Sequence, residues 1–202
     1  GRADAAMQLA AVAGDRAQPP IARATALAEL AGYPSERGVG TATTALSDPD
    51  PLVRWGAVES LQGAEPNTVR SLVVPMLDDS IRAIRLEAAS LLATLPPEAL
   101  DATTTLRIER GLDELLRCDS LDADRAEGQL NIGTIFHQRG QYEPAGQAFR
   151  RGIEIEPWFV PNYLNLADVY RATHRDSLGE ITLREALRRL PEAQSRRVRR
   201  VR

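Results

Sequence analysis

A repeat of 31 residues in the first half of the sequence constrains the fold more than any other feature. Arg23, Arg54 and Arg85 follow one another at this spacing. Their neighbours recur in step, with an alanine three positions and a leucine seven positions after each arginine: Ala26, Ala57 and Ala88, then Leu30, Leu61 and Leu92. A fixed period of this length is typical of stacked supersecondary units, each of which buries its apolar face against the next.

Proline and glycine mark the ends of the repeated helices. Pro20 and Pro51 stand three residues before their arginines, and Gly32 and Gly63 stand nine residues after them. This is the usual placement of proline in the first turn of a helix and of glycine just past its end. Asp50, which directly precedes Pro51, is predicted as an N-cap. Each copy is therefore predicted to contain one capped helix.

Shorter amphipathic segments at residues 3–13, 35–46 and 67–77 lie between these helices, so each unit is predicted to be a helix pair. The third capped helix is expected to have Asp79 or Ser80 as its N-cap. Carboxylates at the repeat starts are explained as helix caps and as partners for Arg54 and Arg85 in neighbouring units: Asp48, Asp50, Asp78 and Asp79.

The segments 50–58 and 80–88 resemble each other and are similar to the short HEAT-like repeats of bacterial bilin lyases. The resemblance covers about residues 3–95, and its weakest copy is the first, which has Gln18, Pro19 and Pro20 where the others have acidic residues. It implies a curved stack of helix pairs and does not by itself imply a function.

The second half has a different period of 34 residues, the spacing of Pro157 and Pro191. Small and aromatic residues recur at this spacing at positions that resemble those of tetratricopeptide repeats: Gly133, Phe136, Ala145 and Phe149, then Ala167, Tyr170, Gly179 and Leu183. Close packing explains the pattern, because small residues let two helices approach while aromatic rings fill the gaps. Gln129 and Gly152 depart from the pattern and are expected to weaken packing locally.

These periods predict an all-α chain, an α-solenoid that forms a right-handed superhelix of helix pairs. Residues 1–95 are predicted as three HEAT-like pairs, and residues 96–123 as a joint formed by one long helix over 98–118. Residues 124–192 are predicted as two tetratricopeptide repeats, and residues 193–202 as an Arg-rich tail. Cys118 is expected at a small buried position of the joint helix.

Composition excludes several classes of protein. All 25 basic side chains are arginine and oppose 28 acidic ones, for a net charge of −3, so a broadly basic nucleic-acid binder is not expected. The run of arginines in residues 196–202 is either a solvated end or a contact for phosphates or an acidic protein face. No apolar run is long enough to predict a membrane span. The single cysteine, Cys118, excludes an internal disulfide and a Cys-x-x-Cys-His haem attachment site.

No group of residues predicts chemistry, so no catalytic residue, metal ligand or cofactor is expected. The two histidines, His137 and His174, are expected to face solvent or a partner, because two ligands do not complete a zinc site. The segment from Gly38 to Gly40 lacks the third glycine of a dinucleotide-binding loop. The sequence therefore predicts that the protein is not an enzyme.

A concave wall is the predicted binding surface, because solenoids bind along the wall formed by the first helix of each pair. The resemblance to tetratricopeptide repeats places these inward positions at Glu127, Leu130, Thr134, His137, Pro161, Leu164, Asp168 and Arg171. The wall is mixed in character, so an extended apolar or mixed peptide, or a flat protein face, is the expected partner. The alternative is that the repeats act only as a spacer. Self-association is also predicted, through an uncapped last repeat at Ile181, Leu183 and Leu187.

The order of HEAT-like units, a joint helix and tetratricopeptide units resembles the C-terminal region of bacterial multihaem c-type cytochromes. The segments 20–27 and 159–168 carry this resemblance. It implies a docking module of a larger protein exported to the periplasm; otherwise a cytoplasmic location is expected. The alternative function is a HEAT-type lyase, or another enzyme subunit, that acts on a bound chromophore.

Overall fold

The computed structural model describes the backbone of residues 2–119 and 123–200 and the side chains of residues 4–118 and 123–189. The regular structure of these residues is helical throughout, which confirms the predicted all-α fold of the solenoid class. The helices are α1 (Arg2–Gly14), α2 (Pro20–Leu30), α3 (Glu36–Ala45), α4 (Pro51–Glu59), α5 (Pro66–Val73), α6 (Arg82–Leu92), α7 (Ala102–Asp119), α8 (Ala126–Gln138), α9 (Tyr142–Ile155), α10 (Val160–Ala172) and α11 (Asp176–Arg200).

The chain divides into two compact units, Gly1–Leu112 and Asp113–Arg202, and the boundary between them falls within α7. The predicted division into four segments stays a prediction. Over the described residues, no helix combines the length and the apolar character needed to cross a membrane.

The first unit contains the predicted helix pairs. Segments 3–13 and 35–46 correspond to α1 and α3, and the Ser35 hydroxyl caps α3 by accepting a hydrogen bond from the Gly38 N–H at 3.1 Å. Segment 67–77 corresponds to α5 followed by a 3-10 turn at Val74–Asp78. Pro75 lies in this turn and has no backbone N–H to continue the α-helical hydrogen bonding of α5.

Helix caps follow the prediction at the second copy and depart from it at the third. Asp50 caps α4 by accepting a hydrogen bond from the Leu52 N–H at 2.9 Å. In the third copy, neither Asp79 nor Ser80 is the N-cap, because α6 begins only at Arg82. The Asp79 carboxylate instead accepts a hydrogen bond from the Ile81 N–H at 2.8 Å and orders the turn before the helix.

The core of this unit lies among α2, α4 and α6, where the repeated alanines and leucines are buried. Gly56 allows α2 and α4 to pack closely, since a β-carbon there would lie 2.7 Å from the carbonyl oxygen of Ala24. The joint helix is shorter than predicted: a 3-10 turn occupies Pro97–Ala99, and α7 begins at Ala102. Asp101 precedes α7 and accepts hydrogen bonds from the N–H and the hydroxyl of Thr104, both at 2.8 Å.

The second unit pairs α8 with α9 and α10 with α11. Gly133 lies directly beneath the ring of Phe149, which would collide with any β-carbon there, so the predicted close approach of α8 and α9 is confirmed. Phe149 belongs to a core cluster with Ala145, Leu166 and Val169. Cys118 is half-buried and not fully buried as predicted.

Gly152 does not weaken the packing, contrary to the prediction. A β-carbon at Gly152 would collide with the side chain of Asn162, which is fully buried. Asn162 Nδ2 donates a hydrogen bond to the Ala126 carbonyl at 3.1 Å, which ties the start of α10 to the start of α8. The departure from the tetratricopeptide pattern at Gly152 therefore makes room for a buried polar tie.

Candidate binding surfaces

Buried ion pairs connect successive repeats of the first unit. Arg23 Nη2 lies 2.7 Å from Asp48 Oδ2, and Arg54 Nε lies 2.7 Å from Asp79 Oδ2. Each pair joins residues 25 positions apart, so the second pair is the first one shifted by one repeat. The predicted pairing of Arg54 with a carboxylate of the next unit is confirmed, and Arg23 forms an equivalent pair.

Arg85 continues only half of this arrangement. Its Nη1 donates to the carbonyls of Asp79 and Ser80, at 2.8 and 3.2 Å, as Arg54 Nη1 donates to the carbonyls of Asp48 and Pro49 at the same distances. The position 25 residues after Arg85 is occupied by an arginine, Arg110, so the sequence offers no carboxylate there. The series of pairs therefore ends at the third copy.

The ion pairs set the charge state of both aspartates. Burial opposes ionisation of Asp48, but hydrogen bonds from Arg23 and from the Asp50 N–H outweigh it and lower the pKa of the carboxyl below 3.8. The hydrogen bond from Arg54 is the main cause that lowers the pKa of Asp79, against the effect of burial. Both groups are therefore carboxylates at neutral pH.

A cleft of about 410 Å³ opens beside the first of these pairs. Arginines, glycines and threonines of α1, α2, α3 and their connections form its lining: Arg16, Arg23, Arg37, Gly14, Gly40, Thr41 and Thr44, with Ala13, Ala45 and Asp48. The lining therefore carries more positive than negative groups.

A second cleft, of about 370 Å³, lies between the α2–α3 and α4–α5 connections. Its ionisable lining residues, Glu36 and Glu65, are both acidic, and Tyr33 contributes an aromatic ring. Glu65 is already engaged as the cap of α5, where it accepts a hydrogen bond from the Asn67 N–H at 2.9 Å. The two clefts of this unit thus differ in the sign of their charge.

Two carboxyl groups on α4 and α6 are perturbed by each other's neighbourhood. Burial raises the pKa of Glu87 above 4.5, the nearby Glu59 adds to the shift, and a hydrogen bond from Trp55 opposes it. Burial also raises the pKa of Glu59, with a further contribution from Glu29. Neither Glu59 nor Glu87 lines either of the two clefts, so the pair has no adjacent space for a substrate.

The predicted binding wall of the second unit is divided between exposed and half-buried residues. Leu164, Asp168 and Arg171 of α10 are exposed, and Leu164 keeps 49% of its surface accessible. Asp168 and Arg171 form an ion pair at 2.7 Å. On α8, only Glu127 of the predicted residues is exposed.

The remaining predicted residues of α8 have partners within the unit. Leu130 packs against the core cluster, and the Thr134 hydroxyl donates to the Leu130 carbonyl at 2.8 Å. The His137 ring lies edge-on to Tyr142, with 5.5 Å between centroids. Because α8 and α10 contact each other, the exposed residues of both helices form one face, which we call the α8–α10 face: Glu127, Leu164, Asp168 and Arg171.

The histidines lie at the ends of α8 and α10. His174 is exposed in the left-handed turn after α10, with φ of 55°, while His137 is half-buried. Within residues 4–118 and 123–189 there is no group of three or more His, Cys, Asp or Glu side chains that could hold a metal ion.

The last helix leaves apolar side chains exposed. Leu183 and Leu187 of α11 stand 34 residues after Phe149 and Ile153, which pack in the core of the unit. Leu183 and Leu187 keep 39% and 65% of their surfaces accessible. The exposure expected for the last repeat is present; the predicted self-association stays a prediction. The arginines of residues 196–202 lie outside the described side chains.

The repeated ion pairs and the helix pairs of the first unit are those of a known family. Residues 5–93 match HEAT repeats. The HEAT repeats thus cover the segment for which the 31-residue period predicted them. The family match does not extend over the second unit.

Two crystal structures of MamA are similar to this chain. One has 16% sequence identity and a TM-score of 0.39, and the match covers 79% of this chain and 91% of that one. The other has 18% identity and a TM-score of 0.40, and covers 85% and 94% of the two chains. Similarity at this level carries no argument about fold or function. No curated protein sequence matches the chain significantly.

The arginine-lined cleft was not predicted from the sequence. Arg16 and Arg37 lie outside the repeated positions, and 31 residues later the sequence has Ser47 and Thr68. This departure from the repeat was the available signal. It could not be interpreted without the fold, because only the packing of α1, α2 and α3 brings the two arginines to one cleft.

Proposed function

We propose that this protein is a non-catalytic protein-binding module that holds an extended peptide segment on its α8–α10 face. The observation that carries the proposal is the exposure of Leu164, which keeps 49% of its surface accessible on a helix whose buried side forms the core. An apolar side chain rimmed by charged groups is a common feature of protein-binding sites.

The charges on the face indicate the character of the peptide. Glu127 and Asp168 are acidic and Arg171 is basic, so the face favours a segment of mixed charge with an apolar residue for Leu164. Asp168 and Arg171 already form an exposed ion pair, which a partner can replace at little cost because such pairs contribute little to stability.

A random peptide library displayed on phage tests this proposal. Selection against the wild-type chain is expected to enrich peptides with an apolar anchor, and Leu164→Arg is expected to abolish their binding. Leu178→Arg is the matched control: it makes the same substitution at a leucine of α11 with 43% of its surface accessible. The proposal fails if no peptide is enriched, or if both variants bind the selected peptides as the wild type does.

A more specific role is docking within a larger periplasmic multihaem cytochrome. The support for it is the order of HEAT-like and tetratricopeptide-like units, which resembles the C-terminal region of such cytochromes. A haem stain of the natural protein after denaturing electrophoresis tests this role. A positive stain supports it; a colourless protein excludes it and leaves peptide binding unaffected.

The alternative role, an enzyme subunit that acts on a bound chromophore, needs acid–base groups that converge on a cleft. Glu59 and Glu87 are the carboxyls with raised pKa values in the described residues, and they line neither cleft. Covalent attachment of a bilin to an acceptor protein in the presence of the purified chain would favour this alternative over a binding module.

A further inference from the structure

The cleft beside the Arg23–Asp48 pair has the composition of an anion site. We infer that it binds a dianionic oxyanion, a phosphate monoester or a dicarboxylate, between the guanidinium groups of Arg16 and Arg37. This site lies in the first unit and is separate from the peptide-binding face proposed for the second.

Arg16 and Arg37 are the groups available to a ligand. Both line the cleft and are exposed, and neither forms an ion pair or a side-chain hydrogen bond with another described residue. Arg23, in contrast, is fixed by Asp48 and by the Ala13 carbonyl, which its Nε reaches at 3.1 Å. A guanidinium group presents a planar fork of N–H donors that matches both carboxylate and phosphate oxygens.

The acidic residues near the cleft are already engaged or face elsewhere. Asp48 accepts hydrogen bonds from Arg23 and from the Asp50 N–H, one on each oxygen. Asp15, next to Arg16 in sequence, accepts from the Ala17 N–H at 2.9 Å and from the Gln18 amide at 3.1 Å. Glu36, next to Arg37, lines the other cleft. An incoming anion therefore meets an excess of positive charge.

The size of the cleft and its glycine provide room for a ligand. Its volume of about 410 Å³ falls in the range of small-molecule sites. A β-carbon at Gly40 would have no heavy atom within 4 Å, so this position of α3 borders open space. Thr41 and Thr44 use their hydroxyl protons on helix carbonyls, which leaves the arginines as the donors.

The repeat itself shows that the two arginines are not needed for the fold. At the equivalent positions of the next repeat, Ser47 and Thr68 replace Arg16 and Arg37, while the buried pair is kept as Arg54 and Asp79. The two additional cations therefore occur only at the copy that has this cleft, and a bound anion accounts for them.

Titrations with two small anions at pH 7 test the inference, with the arginine Nε–H signals in ¹⁵N NMR spectra as the readout. Inorganic phosphate is the probe for a phosphate ester, and succinate is the probe for a dicarboxylate. We expect saturable shifts of the Arg16 and Arg37 signals with at least one anion. Saturation by phosphate alone assigns the ligand as a phosphate ester, and saturation by succinate alone assigns a dicarboxylate.

Three variants separate the site from general charge effects. Arg16→Gln and Arg37→Gln are each expected to weaken binding about tenfold, as for the loss of a charge-assisted hydrogen bond. Arg70→Gln is the matched control, since Arg70 is an exposed arginine of the same unit that does not line the cleft. Gly40→Leu keeps the charge, fills the open space and is expected to abolish binding; circular dichroism verifies that it folds.

The inference is overturned if neither anion gives saturable shifts. It is also overturned if Arg70→Gln weakens binding as much as Arg37→Gln does, or if a folded Gly40→Leu protein binds like the wild type. Each of these results leaves the peptide-binding proposal standing, because that proposal rests on other residues.

Discussion

The side chain of Asn162 occupies the space that a β-carbon on Gly152 would need. An ideal β-carbon there would lie 2.6 Å from Asn162 Cγ and 2.9 Å from Asn162 Oδ1. Asn162 is fully buried, and its Nδ2 holds the Ala126 carbonyl at the start of α8. Glycine in α9 is thus coupled to an asparagine in α10 that fastens α10 to α8.

Gly152→Ala is therefore expected to destabilise the protein. Overpacking of a filled core costs about 1–3 kcal/mol, which exceeds the gain of about 1 kcal/mol that alanine brings to a helix interior over glycine. Urea unfolding monitored by circular dichroism measures the difference. In the background of Asn162→Ala, the same change is expected to become neutral or stabilising. A Gly152→Ala protein that is more stable than the wild type would show that the Asn162 side chain moves freely.

Arg54→Ala is expected to lower the melting temperature by leaving Asp79 buried without its main partner. The side chains of Arg54 and Asp79 keep only 14% and 7% of their surfaces accessible, and breaking such a pair costs about 3 kcal/mol. Differential scanning calorimetry measures the loss, with Arg70→Ala as an exposed control expected to change little. Binding of selected peptides to the α8–α10 face is expected to persist. An unchanged melting temperature would mean that the ion pair does not stabilise the unit.

The Arg54–Asp79 pair also predicts how stability depends on acid. The folded-state pKa of Asp79 lies below its ordinary value of 3.8, mainly because of the hydrogen bond from Arg54. Its contribution is therefore complete above this value and is lost as the pH falls through the lower, folded-state pKa. Urea midpoints measured across this range are expected to fall less steeply in Asp79→Asn than in the wild type. Equal slopes would exclude Asp79 as a source of the acid sensitivity.

Glu87 predicts the opposite sign. Burial, Glu59 and the opposing hydrogen bond from Trp55 leave the folded-state pKa of Glu87 above its ordinary value of 4.5. Ionised Glu87 thus destabilises the folded state, and this penalty is relieved as the pH falls from above the raised pKa towards 4.5. Glu87→Gln is expected to be more stable than the wild type at pH 7, with the difference shrinking towards pH 4.5. Glu29→Gln, on an exposed neighbour, is the control and is expected to show a smaller effect. A less stable Glu87→Gln protein would contradict the prediction.

The sequence by itself determined the helical repeats, because period, capping and small-residue spacing are local properties that follow from helix geometry. The 31-residue spacing of Arg23, Arg54 and Arg85 located the HEAT repeats, and Asp50 located the start of α4. The same reasoning predicted that Arg54 would pair with a carboxylate of the next unit, since repetition fixes which residues meet.

Only the tertiary structure decided what surrounds each side chain. Gly152 looked like a packing defect until Asn162, ten residues later, was found in the space it leaves. Of the predicted binding wall, Leu130 is half-buried and Leu164 is exposed although both occupy the same repeat position. Arg16 and Arg37 come together at one cleft because three helices pack there. Exposure and convergence depend on contacts between distant segments, and a local pattern does not encode them.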